Sequence, residues 1–285
     1  MAKPLSAPAK SAQRDELTLL LEERLTDVEF LVEDGSDPPK VFKAHKMMLA
    51  LRNEIFEAMF YGKLLEKDQV RITDLHPDGF FTFLKYIYSR KAPFVNIQHA
   101  LRTRTAAQKY MESKLVEDCD AFIRRETKGT DVCIVLDYLL KYDNTVNFDD
   151  IINWHLKENT REVLTSQAFI AASRESVLRI LKVPGLNMRE YDIIKCVYEW
   201  AVAHCSQEPD KPTIATLQQT MRPFLPELRF LALTSQEFVN GPCSWKVMTH
   251  SETLAVLSNI INPGSEKLPE FISKITLNRS GETLP

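Results

Sequence analysis

The sequence predicts an α+β domain, a short sheet capped by helices, followed by an all-α helical domain. Three observations carry this. Short runs with strand-like alternation or β-branched composition fall only in the first quarter of the chain. After about residue 126 the apolar residues recur at helical spacing almost throughout. The 285 residues also suffice for two domains with properly buried cores.

Residues 1–14 read as a disordered tail, since MAKPLSAPAKSAQR has no apolar segment of a signal peptide. The mixed region covers 15–125. Leu17, Leu20, Leu21 and Leu25 form a helical stripe at its start. Val28, Phe30 and Val32 then alternate with Glu29 and Leu31, a strand ended by the turn-like Asp34-Gly35-Ser36-Asp37-Pro38-Pro39. Residues 41–44 read as the return strand. From His45 to Tyr61 apolar residues recur at helical spacing, with a break between two short helices at Arg52-Asn53. Val70-Arg71-Ile72 is a third strand, closed by Asp74 and the His76-Pro77 turn. Phe80, Phe83, Leu84, Ile87 and Tyr88 then make a clean helical stripe behind Pro77, a residue suited to a first turn.

The helical region covers 126–262. Stripes mark helices over 132–142, 150–158, 175–181 and 187–204. Asn187 with Glu190 has the spacing of a capping box, as does Thr234 with Glu237. A last helix over 249–261 stops at Asn262-Pro263-Gly264. Residues 263–285 read as a polar, loosely held C-terminal tail. No repeat of 20–50 residues argues for a solenoid or propeller.

Composition removes most chemistries. Eight glycines are under half the usual share of roughly 7%. They are spread singly from Gly35 to Gly281, so no phosphate-cradling glycine loop and no G-x-S-x-G elbow exists. A net charge of −3 argues against nucleic-acid binding through bulk positive charge, and the aromatics around Phe81 lack interleaved basic residues. Five scattered cysteines without C-x-x-C read as reduced thiols of an intracellular protein. Six histidines show no H-x-x-x-H spacing; His204-Cys205 is the nearest thing to a metal or nucleophile clue, and neighbours on a helix point apart. The uncharged run from Thr253 to Ser265 is too short to cross a bilayer. The expectation is therefore no enzyme, no cofactor, no metal, no nucleic acid and no membrane. The cytoplasm is the expected compartment, with the nucleus open as an additional one.

Asp27-Val28-Glu29-Phe30, followed by Phe42-Lys43-Ala44-His45-Lys46-Met47-Met48-Leu49-Ala50, resembles the BTB/POZ family. Ile55-Phe56-Glu57-Ala58-Met59-Phe60, Val70-Arg71-Ile72-x-Asp74 and Phe80-x-x-Phe83-Leu84-x-Tyr86-Ile87-Tyr88-Ser89 extend the match. Ala106-Ala107-Gln108-Lys109-Tyr110 and Leu115-x-x-x-Cys119-x-x-Phe122 complete it. The second half is similar to a BACK domain through Val163-Leu164, Phe169, Ser173-Arg174-Glu175-Ser176-Val177-Leu178, Asn187-x-x-Glu190 leading to Trp200, and Arg222-Pro223-Phe224. Met59-Phe60-Tyr61-Gly62 and Phe238-Val239-Asn240-Gly241-Pro242 look closest to the BTB-BACK-PHR group of cullin-3 adaptors.

The resemblance implies a non-catalytic homodimer that binds the N-terminal region of cullin-3 and brings a ubiquitination target of unknown identity to it. It assigns cullin binding to Leu64-Leu65-Glu66, a hydrophobic-x-Glu motif, and to Tyr110, with the helices over 131–157 supplying an adjoining groove. An exposed leucine beside a carboxylate suits a pocket on a helical partner. Dimerisation is expected to use Leu17, Leu21, Met47, Met48, Ile55 and Phe56, with Asp27 and Lys46 as a partly buried charged pair near the dimer centre. Two departures stand out. Leu101-Arg102-Thr103-Arg104-Thr105 is more polar than the leucine-rich helix usual there, and no kelch or PHR module follows. Alternatives stay open: a BTB-BACK scaffold, a short form that pairs with longer relatives without delivering substrate, or an interaction protein of the transcription-regulator type. The lack of zinc-finger spacing counts against DNA binding in the last of these.

Overall fold

Val28, Phe30 and Val32 point to one face of strand β1 (Val28–Val32), and all three are fully buried while Glu29 and Leu31 are not. In the computed structural model, which describes residues 16–35, 38–62, 68–142, 148–205 and 213–279, this strand is the centre of a three-stranded sheet. β2 (Lys40–Ala44) pairs with it antiparallel, Val28 opposite Ala44 and Val32 opposite Lys40. β3 (Gln69–Ile72) lies on its other side and runs parallel, Glu29 opposite Gln69 and Val32 opposite Ile72. A parallel partner needs a crossover, and the helical residues between β2 and β3 provide it.

That crossover is α2 (Lys46–Ala50) and α3 (Glu54–Tyr61); α1 (Glu16–Leu21) precedes the sheet. The expected break at Arg52-Asn53 is a helix start. Asn53 Oδ1 accepts from Ile55 N and Phe56 N, while its Nδ2 donates to the Tyr110 carbonyl at 2.7 Å. α4 (Pro77–Ser89), α5 (Ile97–Lys109) and α6 (Ser113–Glu126) complete the first compact unit, Met1–Arg125. α4 opens on the expected proline, with His76 accepting from Asp78 N. Gly79 lets α4 and α5 approach, since a Cβ there would lie 2.4 Å from the Arg102 carbonyl oxygen. The polar α5 accounts for itself internally. Arg104 is buried and pairs with Asp120 at 2.6 Å, and Thr103 and Thr105 donate back to the carbonyls of His99 and Leu101.

Two expectations about side chains need correction here. Phe56 and Tyr110 are not surface groups; they are 0% and 2% exposed. Their rings stack at 4.7 Å, and Tyr110 stacks again on Phe83 at 4.9 Å, with Phe30 edge-on to Phe56 at 5.8 Å. This aromatic cluster is the core of the unit. Both faces of α3 carry apolar residues, so helical spacing alone cannot say which face goes inward.

The second unit, Glu126–Pro285, is helical. It contains α7 (Val132–Tyr142), α8 (Asp149–Glu158), α9 (Thr160–Leu164), α10 (Gln167–Ala171) and α11 (Arg174–Leu181). α12 (Glu190–Cys205), α13 (Ile214–Met221), α14 (Ser235–Phe238) and α15 (His250–Ile261) follow. Capping boxes start α14 with Thr234 and Glu237, as expected, and α15 with Thr249 and Glu252. Trp200 of α12 is buried and donates to the Ala172 carbonyl at 2.9 Å.

Asn187 and Glu190 do not form the expected capping box. Glu190 N donates instead to Asn278 Oδ1 at 3.0 Å, and the Glu190 carboxylate is buried against Arg279, whose Nη1 lies 2.7 Å and 2.8 Å from its two oxygens. Residues 263–279, read from sequence as loosely held, therefore pack back on the unit. Ile272 is buried, and the Arg222 guanidinium lies 3.7 Å from the centre of the Phe271 ring. The partnership spans most of the unit's sequence, and no local pattern announces it.

Cys119, Cys133, Cys196 and Cys205 are buried, and Cys243 is half-buried. Burial pushes the Cys196 thiol up to about 11 and Cys133 up to about 12, with Cys119 raised further. Above the ordinary thiol value of about 8.5 the unfolded chain loses protons that the folded chain keeps, so stability is present below that pH and falls as pH rises towards 11–12. The urea midpoint of reduced protein should drop between pH 9 and 11. At pH 8 a thiol reagent should label Cys243 rapidly and all five cysteines only in denaturant. A flat midpoint over that range would contradict these burials.

Candidate interaction face

α2 and α3 position three of the exposed apolar groups of the first unit around one concavity. Leu49, Phe56 and Phe60 turn inward and are buried, while Met48, Ile55 and Met59 are half-buried and pack on the same core. Met47, Leu51 and Tyr61 are left outward, 60%, 74% and 59% exposed. With Ala50 and Glu57 they line an open pocket of 350 Å³. Isolated exposed apolar residues are ordinary, but this many converging on one concavity mark a surface that gains from being covered. Leu51 and Tyr61 were not among the residues expected here; their place at the ends of the helical pattern hid them.

α1 contributes less than its leucine stripe suggests. Leu17 packs on the core and Leu20 is buried, so only Leu21 and, beyond the helix, Leu25 face water. Glu23 and Leu25 both take left-handed backbone (φ 51° and 60°), and the Arg24 carbonyl between them is held by His45 Nε2 at 2.6 Å. A carbonyl only accepts, so Nε2 carries the hydrogen and Nδ1 accepts from the Tyr88 hydroxyl at 2.7 Å. The same hydroxyl accepts from His45 N at 3.0 Å. The histidine of the Phe-x-Ala-His-Lys motif thus ties the turn before β1 and the start of α2 to α4. Burial pushes the Tyr88 hydroxyl up to about 12, so it stays protonated and able to donate.

The Asp27–Lys46 relation also differs from expectation. The Lys46 ammonium pairs with Asp68 at 2.7 Å, not with Asp27. Asp27 Oδ1 accepts from Lys46 N at 2.7 Å and so anchors the start of α2, where negative charge is favoured. Asp27 is exposed in the single chain, and Lys46 is half-buried. The bond to Asp68 raises Lys46 above the ordinary lysine value and holds Asp68 below the usual carboxylate range. These groups line a second open pocket of 480 Å³ with Thr26, Glu29 and Gln69. Asp68 comes beside Lys46 through the parallel β1–β3 pairing, which a one-dimensional reading does not supply. Leu64, Leu65 and Glu66 lie outside the described residues.

His204 and Cys205 do not converge. The His204 ring stacks on Trp200 at 3.9 Å, and Cys205 donates to Thr220 Oγ1. Among the described residues no group of His, Cys, Asp and Glu is placed to hold a metal, and no helix is long and apolar enough to cross a membrane.

A small sheet wrapped by helices, with Met47, Leu51 and Tyr61 exposed around one concavity and no metal-holding group among the described residues, has the form of an interaction domain. Residues 17–127 match the BTB/POZ domain family, and the chain contains a BTB/POZ domain. Its helical C-terminal region is consistent with a BACK domain. It is similar to BTB/POZ domain-containing protein 6-B of Danio rerio, 30% identical over 233 residues that cover 81% of this chain and 48% of that protein. Human BTB/POZ domain-containing protein 6 is 28% identical, over 82% of this chain and 43% of its own length. Human BTB/POZ domain-containing protein 3 is 27% identical, over 80% and 44%. The chain spans a little under half the length of these relatives. The solved BTB domain of zebrafish PATZ1 is 25% identical and covers 39% of this chain and 89% of that one, with a TM-score of 0.32. BTB domains are generally non-catalytic and mediate dimerisation and partner binding.

Proposed function

We propose that this chain is a dimeric, non-catalytic adaptor that binds the N-terminal region of cullin-3 and carries a target protein to the ubiquitin ligase, in the cytoplasm or nucleus. The observation that carries the dimer is the Met47–Leu51–Tyr61 surface. A second copy of the same face covers it by two-fold symmetry, the commonest way for a self-complementary patch to close. Met47 and Leu21 are exposed and belong to the proposed face, Met48, Ile55 and Leu17 support it from beneath, and Phe56 is in the core.

The cullin-3 assignment is supported by the Leu64-Leu65-Glu66 motif on a BTB/POZ domain. Tyr110 is buried in the single chain, and the proposal rests the cullin contact on that motif. Calorimetry with purified full-length chain and the N-terminal region of cullin-3 tests it. Leu64→Ala and Glu66→Lys should each weaken binding about tenfold or more, as loss of an anchoring side chain does. Absent binding, or binding that neither change affects, would sink the assignment.

A further inference from the structure

The geometry points to a second recognition site, in the helical unit: a socket for an arginine-bearing extended peptide of a partner protein, filled here by the chain's own residues 277–279. Its walls come from three elements remote from that segment. Glu190, in the first turn of α12, supplies a carboxylate that is already oriented, since Oε1 also accepts from Arg229 N at 2.9 Å. The carbonyls of Leu181, at the end of α11, and of Glu227 accept from Arg279 Nη2 at 3.1 Å and 2.7 Å. Each of these three groups is an acceptor, and the Arg229 cation nearby is turned to the Leu277 carbonyl. A planar, permanently charged donor fits such a set better than an ammonium does.

The segment that fills the socket is held as a ligand is held. Its contacts are the Arg279 side chain, the Asn278 side chain on Glu190 N, and the Leu277 carbonyl, which accepts from Arg229 Nη1 at 3.1 Å. Extended peptides are read by this combination of main-chain and anchoring side-chain contacts. Apolar packing is thin along it, for Ile275 and Leu277 both face water. The firm attachment lies upstream, at buried Ile272 and at Phe271 beneath Arg222, so 273–279 can swing out while the anchor stays. Arg279 also seats imperfectly. Its Nε is buried with no hydrogen-bond partner among the described residues, a cost that an incoming arginine seated with its full fork would not bear. The socket lies wholly in the second unit, so it stands whether or not the first recruits cullin-3.

A labelled synthetic peptide with the sequence of residues 271–285 is the probe, offered to full-length chain. It should bind Arg279→Ala chain at least about tenfold tighter than wild type, whose socket is filled. Binding should vanish when the peptide carries alanine for Arg279, or when the chain also carries Glu190→Gln. An Arg279→Ala chain that melts cooperatively yet takes up no peptide would overturn the proposal. Hydrogen exchange on wild type decides independently of that variant's folding. Amides of 273–279 should exchange through local opening, at least about tenfold faster than those of Val197 and Trp200 in α12. If they exchange only with global unfolding, the segment is fixed structure and the proposal fails.

Discussion

Phe56→Ala is expected to cost about 3–5 kcal/mol of stability, the range for removing a large ring from a packed core. Phe56 is fully buried, stacks on Tyr110 at 4.7 Å and on Phe60 at 5.9 Å, and meets Phe30 edge-on. Removing it opens a void that these three neighbours cannot close together, because Phe30 is fixed by the sheet and Tyr110 by the Asn53 bond to its carbonyl. Tyr110→Ala should fall in the same range. Met47→Ala, on the neighbouring helix α2 and outward, should change the stability of the single chain by no more than about 0.5 kcal/mol. Urea unfolding of the three variants separates core from surface. Equal small effects at Phe56 and Met47 would mean that the ring stack is not the core.

Met47→Glu combined with Leu51→Glu is expected to convert dimer to monomer without unfolding the chain. Both positions are outward, so neither charge disturbs the unit itself. In a two-fold interface each substitution appears twice, which places four carboxylates in one apolar contact. Burying them unpaired is unfavourable, and like charge adds to the cost. The dimer dissociation constant should rise by about 100-fold or more, equivalent to roughly 3 kcal/mol. Sedimentation velocity across a concentration series measures this directly. Unchanged association would place the dimer contact elsewhere on the chain.

The sheet was legible because its strands carry their own signal. Val28, Phe30 and Val32 alternate, and Val70 and Ile72 flank an exposed Arg71. Helix starts were legible where the capping group is local, as at Asn53, His76, Thr234 and Thr249. What failed depends on residues far apart in sequence. Glu190 looked like a local cap and is the partner of Arg279; Asp27 looked like the ion-pair partner of Lys46, and Asp68 is. The interface residues were half legible for a related reason. α2 and α3 are apolar on more than one side, so Phe56 and Met47 read alike until the sheet beneath them fixes which side is inward. Leu51 belongs to the helical pattern and Tyr61 ends it, and neither place says that the side chain stays exposed.

Light scattering on purified full-length chain mixed with excess N-terminal region of cullin-3 tests the adaptor reading most directly. The expected result is one complex containing two copies of the chain, with free chain at twice 32.8 kDa. Chain that elutes at 32.8 kDa, with the cullin region unbound, would contradict it.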